Sequence, residues 1–106
     1  MPRYLWRGSY TTEGLKGLLE EGGTARKAAV EQLVEALNGK LEAFYYAFGE
    51  DDLYVVFEAP DNISAAAGAL LSAASGAVRG ATIVLLTPEE VDEAAKKSPT
   101  YRPPGA

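Results

Sequence analysis

Three consecutive acids, Glu50-Asp51-Asp52, lie between two apolar segments of this 106-residue chain. Neighbouring carboxylates can act as an acid and a base when burial separates their pKa values, and with further oxygen ligands they can hold Ca²⁺ or Mg²⁺. Asp is also favoured in turns, because its side chain bonds nearby backbone amides. The spacing of an EF-hand loop is missing here. We therefore interpret the run as a hairpin turn, with a functional role as the alternative.

A second group of chemically capable side chains falls on predicted strands: Arg7, Arg79, Glu58, Tyr46 and Tyr54. Two arginines on neighbouring strands of one sheet face can bind a carboxylate or another anion in bidentate fashion, and tyrosines can donate hydrogen bonds or stack. The alternative is a structural Arg–Glu network at a dimer interface. We predict these five as ligand-binding residues and keep both interpretations open. No catalytic residue is assigned.

The composition excludes several classes of function. The chain has no cysteine and no histidine, which removes thiolate nucleophiles, imidazole bases and nearly every zinc or copper site. We predict no metal and no cofactor. The formal charge of −5 without a basic cluster disfavours nucleic acid as a partner. The N-terminus has no basic head followed by a long apolar stretch, so we expect no membrane association and a soluble, cytoplasmic protein.

Apolar spacing and turn residues predict one α+β domain over residues 1–97 and a Pro-rich tail over residues 98–106. The predicted strands cover 3–10, 40–48, 53–59 and 79–86, and the predicted helices cover 25–37, 63–75 and about 88–97. Residues 11–17 are expected to form a loop or one short helical turn. The order β-α-β-β-α-β with a C-terminal helix is the ferredoxin-like plan, with an antiparallel sheet of strand order 4-1-3-2 and both central helices on one face.

Alternation along the strands divides the sheet into two faces. The face assigned to the helices carries Trp6 of the first strand, and Trp6 and Tyr10 are predicted to pack in the core. The opposite face remains apolar in a single chain; its predicted members include Phe44, Tyr46, Val56, Ile83 and Leu85. Soluble monomers rarely expose an apolar patch of more than roughly 300–600 Å². We therefore predict a homodimer or higher homo-oligomer that forms through this face.

The chain resembles the GYD-domain family of small bacterial proteins, which belongs to the dimeric α+β barrel group. The resemblance covers roughly residues 2–91 and rests on the order and spacing of five segments. These are Tyr10-Thr11-Thr12-Glu13-Gly14, Phe44 to Glu50 after Gly39, Asp52 with Glu58-Ala59-Pro60-Asp61, Val78-Arg79, and Thr87-Pro88-Glu89-Glu90. Asp51 stands where the namesake Tyr of the family is expected. The resemblance implies a fold and an oligomer, and it implies no activity or catalytic residue.

Three functional hypotheses follow from these observations. The first is an oligomeric module that binds a small anionic or aromatic metabolite between the sheet and the helices. The second is a small cofactor-independent enzyme, similar to the monooxygenases or isomerases of the barrel group, in which Glu58 or a tyrosine acts as acid–base group and the arginines stabilise an oxyanion. The third is a structural assembly unit that uses the tail at residues 99–106 as a docking arm.

Overall fold

The computed structural model describes all 106 residues. Its strands are β1 (Arg3–Tyr10), β2 (Lys40–Tyr46), β3 (Leu53–Glu58) and β4 (Val78–Leu85). Its helices are α1 (Thr12–Glu21), α2 (Gly23–Ala36), α3 (Asn62–Ala74) and α4 (Pro88–Lys96). The four strands form one antiparallel sheet in the order β2-β3-β1-β4. This α+β architecture and the 4-1-3-2 strand order confirm the predicted ferredoxin-like fold.

Helix α1 corrects the prediction of a loop or short turn after β1. Thr11 caps the helix because its hydroxyl accepts a hydrogen bond from the backbone N–H of Gly14 at 3.2 Å. Glycine lowers helix propensity, which is why Gly14 and Gly17 suggested a loop. Gly14 instead serves packing: it is buried, and a Cβ there would overlap the carbonyl oxygen of Ala77. The following helix α2 begins at residue 23, two residues earlier than predicted.

A β-bulge in β2 corrects the predicted faces of that strand. The pairing of β2 with β3 shifts register between Leu41 and Ala43, and the extra residue reverses the alternation beyond it. Phe44 and Tyr46 consequently pair with Val55 and Leu53, whose side chains lie under the helices. The assignment of Phe44 and Tyr46 to the uncovered face is therefore wrong. Ala43 and Tyr45 take that position instead.

The uncovered sheet surface is called the open face below. Cross-strand pairs share a face, so the observed register fixes its members. They are Arg3, Leu5, Arg7 and Ser9 of β1, Lys40, Glu42, Ala43 and Tyr45 of β2, Tyr54, Val56 and Glu58 of β3, and Arg79, Ala81, Ile83 and Leu85 of β4. Glu42 is the bulge residue and belongs to this face because it bonds Arg3. No helix of the chain covers this surface, because α2 and α3 pack on the other side over β2 and β4.

The core between sheet and helices is small. Only eight residues are buried, and Tyr4 is the largest of them. Its hydroxyl donates to Asn62 Oδ1 at 2.7 Å, and its ring stacks on Phe57 with centroids 5.4 Å apart. The Cα radius of gyration is 16.8 Å, against about 13 Å for a compact domain of about 100 residues. Large hydrophobic side chains such as Phe48 and Leu70 are exposed, so a single chain leaves much of its apolar surface without cover.

The C-terminal helix α4 follows the predicted start signal. Thr87 Oγ1 accepts from the Glu90 N–H at 3.1 Å, and the Glu90 carboxylate accepts from the Thr87 N–H at 2.9 Å. These two bonds form a complete capping box, and the hydrogen bond from the Thr87 backbone N–H to the carboxylate holds the pKa of Glu90 below its usual value. The helix buries none of its own residues. None of the four helices combines the length and the apolar character that crossing a membrane requires.

Candidate functional site

A cavity of about 240 Å³ lies between the sheet and the helices α2 and α3. Fifteen of its twenty lining residues are hydrophobic, so the cavity favours an apolar occupant. The principal lining residues are Trp6, Leu53, Val55 and Phe57 on the sheet, Val30, Leu33 and Leu37 on α2, and Ala65, Gly68 and Ala69 on α3. Small side chains on α3 allow the cavity to exist, because they do not fill the space that larger residues would occupy.

Trp6 is the largest side chain of the sheet wall and the only tryptophan of the chain. Its indole lies over Gly8 and Gly80, which pair with each other across β1 and β4. A Cβ at Gly8 would stand 2.7 Å from Trp6 Cη2, and a Cβ at Gly80 would overlap the same ring. The two glycines therefore make room for the indole. Trp6 and Tyr10, predicted as core residues, are only partly buried and line the cavity.

A polar group borders one end of the cavity. Tyr10 and Arg26 line it, and the phenol of Tyr46 lies beside Tyr10 and Arg26. The Tyr46 hydroxyl donates a hydrogen bond to the Gly23 carbonyl oxygen at 3.0 Å. Partial burial, followed by the neighbouring Tyr10, raises the pKa of Tyr46 to about 12. Tyr46 therefore stays protonated near neutral pH and acts as a hydrogen-bond donor.

Arg26 is the only charged side chain that lines the cavity. Its Nη1 lies 3.6 Å from Glu21 Oε2, and the pair connects the end of α1 with the first turns of α2. Ser72 and Ser75 add hydroxyls on the α3 side, but both donate to backbone carbonyl oxygens of their own helix. The charge that a ligand would meet in the cavity therefore comes from Arg26 alone.

The five predicted ligand-binding residues do not meet at this cavity. Arg7, Arg79, Tyr54 and Glu58 lie on the open face, whereas Tyr46 lies on the opposite side of the sheet. Arg7 forms an ion pair with Asp51 at 2.7 Å. None of the five lines the cavity, and Tyr46 alone approaches it. Their role in ligand binding stays a prediction.

Glu58 belongs to an ion-pair network at the far end of the open face. Arg3 donates to both oxygens of Glu42 at 2.8 Å, and its Nη2 lies 3.4 Å from Glu58 Oε1. This contact with Arg3 holds the pKa of Glu42 below its usual value. Because Glu58 is paired with a cation and lies away from the cavity, it is poorly placed to exchange a proton with a molecule bound there.

The acidic run Glu50-Asp51-Asp52 forms the turn between β2 and β3, as predicted. The Asp52 carboxylate accepts a hydrogen bond from the Tyr10 backbone N–H at 3.1 Å, and the Asp52 N–H donates to the Gly8 carbonyl at 2.8 Å. These bonds tie the turn to the end of β1. The Asp51 carboxylate is engaged by Arg7. Two of the three acids thus have structural partners.

Replacement of Asp52 by Ala is expected to lower the free energy of unfolding by about 1–2 kcal/mol, because the Tyr10 N–H loses a charged acceptor. Glu50→Ala serves as the control, since the Glu50 carboxylate makes no hydrogen bond within the chain and its loss is expected to change little. Urea unfolding at one fixed protein concentration measures both. Equal effects of the two substitutions would contradict this account of the turn.

The two titratable residues that line the cavity, Arg26 and Tyr10, were not proposed as ligand-binding from the sequence. Arg26 occupies the same helical stripe as Val30, Leu33 and Leu37, all of which line the cavity. A charged residue on an apolar stripe is the signal that the sequence offered. Tyr10 is the last residue of β1. Whether it lines a cavity depends on the distance between α2 and the sheet, and the sequence of β1 does not contain that distance.

The fold and the cavity define an α+β protein with a ferredoxin-like sheet, one helix-covered face and one open face. The family model of the GYD domain matches residues 4–95, which is most of the chain, so the chain belongs to the GYD domain family. No match was found among curated proteins or among solved structures.

Proposed function

We propose that this GYD-domain protein binds a small, mainly apolar molecule in the cavity between the sheet and helices α2 and α3. The apolar lining is the observation that supports this proposal. Ligand pockets for drug-sized molecules measure about 300–1,000 Å³, whereas a dry apolar cavity of about 150 Å³ accepts benzene. A cavity of about 240 Å³ therefore fits a molecule of one or two rings. The ring would lie against Trp6.

Binding of a small ring compound is expected to change the fluorescence of Trp6 and to raise the melting temperature. The fluorescence has a single source because the chain has one tryptophan, and a ligand that binds only the folded state stabilises it by mass action. A panel of benzene, toluene, phenylacetamide and phenylacetate, whose own emission does not overlap that of tryptophan, tests the proposal. If no member of the panel changes either property, binding in this cavity is refuted.

The substitution Ala69→Phe is the matched test of location, because a ring at position 69 would occupy the cavity. Ala66→Phe is its control, since Ala66 is exposed on the same helix and does not line the cavity. We expect Ala69→Phe to abolish the fluorescence response and Ala66→Phe to preserve it. Loss of the response in both variants, or in neither, would place the binding site elsewhere.

Binding is favoured over acid–base catalysis as the function of the cavity. Apart from Arg26, the only titratable lining residue is Tyr10, and the neighbouring Tyr46 stays protonated near neutral pH. A general base works best when its pKa lies near the working pH. The enzyme hypothesis that relied on Glu58 has no support from the position of that residue.

We also propose that the chain forms a homodimer through its open face. Its centre carries Leu5, Val56, Ile83 and Leu85, and the small core of the single chain leaves these residues without an internal partner. Several charges of this face are already neutralised by pairs such as Arg3–Glu42 and Arg7–Asp51, so a second copy can approach without leaving them uncompensated. The bacterial source, the cytoplasmic location and a docking role of the tail stay predictions.

A further inference from the structure

We propose that the natural ligand of the cavity carries a carboxylate on its ring or side chain, and that Arg26 binds this carboxylate in exchange for Glu21. The inference rests on the proposed binding function and specifies the class of ligand: a small aromatic carboxylic acid. Its ring would lie among the apolar residues near Trp6, and its charge would lie at the end of the cavity that Arg26, Tyr10 and Tyr46 form.

The first argument is the weak engagement of Arg26. Arg3 donates two hydrogen bonds of 2.8 Å to Glu42, and Arg7 donates one of 2.7 Å to Asp51. The guanidinium of Arg26 makes no hydrogen bond within the chain and has only the ion pair with Glu21 at 3.6 Å. Charge-assisted hydrogen bonds are about 2.7–2.9 Å long. Arg26 therefore keeps donors available for a better acceptor.

The second argument is where Arg26 and Glu21 lie relative to the cavity. The Arg26 side chain is 32% exposed and lines the cavity, whereas Glu21 is 48% exposed and does not line it. A cation that loses water beside an apolar cavity needs a counter-ion and hydrogen bonds in compensation, and a carboxylate within the cavity can supply both. Glu21 can return to solvent when such an anion arrives, at little cost, because a half-exposed ion pair contributes little to stability.

The third argument is the positive potential at this end of the cavity. The Tyr46 hydroxyl already donates its proton to the Gly23 carbonyl oxygen, so the guanidinium of Arg26 supplies the donors for a ligand. Helix α2 begins at residue 23 without a side-chain cap, so its first N–H groups lack side-chain acceptors and add positive potential close to Arg26. A planar carboxylate matches the fork of an arginine in bidentate fashion, and no acidic side chain lines the cavity to repel it.

The test compares phenylacetate with phenylacetamide, which has nearly the same shape without the charge. Dissociation constants come from the fluorescence of Trp6 and from calorimetry. We expect phenylacetate to bind about 10- to 100-fold more tightly, the factor that hydrogen bonds to a charged group supply. Arg26→Gln is expected to remove most of this preference, because it should weaken phenylacetate binding about 10- to 100-fold and phenylacetamide binding much less. Lys27→Gln is the matched control, because it removes the same charge from an exposed neighbouring residue that does not line the cavity.

A second variant tests whether the ligand carboxylate replaces Glu21 as the partner of Arg26. Glu21→Gln removes the competitor of the ligand, so it is expected to strengthen phenylacetate binding and to leave phenylacetamide binding unchanged. Equal binding of the two probes to the wild type, or an equal effect of Arg26→Gln and Lys27→Gln, would overturn the carboxylate assignment and leave the proposed cavity function standing. Failure of both probes and of every neutral ring compound would refute the cavity function as well. Weaker binding of phenylacetate to Glu21→Gln would overturn the exchange.

Discussion

Replacement of Ile83 by Asp is expected to dissociate the proposed dimer or to unfold the chain. Ile83 pairs with Leu5 at the centre of the open face and is 38% exposed in the single chain. A second copy packed on this face would bury the new carboxylate without a cationic partner, at a cost of several kcal/mol. Typical domains are stable by only about 5–15 kcal/mol. A cost of several kcal/mol would therefore measurably reduce the fraction of dimer or of folded chain.

The matched control is Ile63→Asp, the same chemical change at a residue that is 81% exposed at the start of α3. A negative charge in the first turn of a helix is tolerated or favourable, so this variant is expected to keep the assembly of the wild type. Sedimentation velocity and light scattering at micromolar concentration measure both variants. A folded wild-type monomer under these conditions would defeat the dimer proposal. An Ile83→Asp variant that assembles like the wild type would place the interface elsewhere.

Replacement of Gly80 by Ala is expected to destabilise the fold by about 1–3 kcal/mol through overpacking. The added methyl group would overlap the indole of Trp6 and approach the Arg7 carbonyl oxygen to 2.6 Å. The indole then has to leave its position over β1 and β4, or the two strands have to separate. Because Trp6 lines the cavity, we also expect altered tryptophan fluorescence and weaker binding of ring compounds.

Gly17→Ala is the control for this substitution. Gly17 lies inside α1, and a Cβ there would meet no atom within 4 Å. Ala is more favourable than Gly inside a helix by about 0.5–1 kcal/mol, so this variant is expected to gain stability and to keep the fluorescence of the wild type. Thermal and urea unfolding at one protein concentration measure both variants. If Gly80→Ala matched Gly17→Ala in stability and fluorescence, the indole would not occupy the place described here.

The cavity and the open face lie on opposite sides of one sheet, and Trp6 and Arg7 are neighbours on β1, one of its two central strands. Successive residues of a strand point to opposite faces, so β1 connects the two proposed sites directly. Measurement of ring-compound binding by the Ile83→Asp variant would show whether the cavity needs the dimer. We expect the cavity to retain its lining residues, since all of them come from one chain.

The amino-acid sequence by itself determined the order of the four strands and of α2, α3 and α4 along the chain, the fold plan that follows from this order, and the terminal capping box; helix α1 was missed. These features depend on local chemistry: the alternation of side chains along a strand, the Thr87-Pro88-Glu89-Glu90 signal, and the acidic turn before Leu53. The motifs that resemble the GYD domain are local in the same sense, and the family match over residues 4–95 confirms them. Gly14 is an exception to this success of local chemistry. Its low helix propensity argues against a helix at this position, yet it lies in α1, where it allows a close contact with Ala77.

Only the tertiary structure decided which side chains meet. The bulge at Leu41–Ala43 turns Tyr46 toward α2 and Tyr45 toward the open face; a register shift depends on the partner strand, and the alternation of β2 alone does not contain it. The cavity arises from the separation of α2 and α3 above the sheet, which depends on the packing of the whole domain. Arg26 lies on the apolar stripe of its helix in the sequence, and it becomes the one charge of an apolar cavity because folding brings that helix across Trp6 and Tyr10.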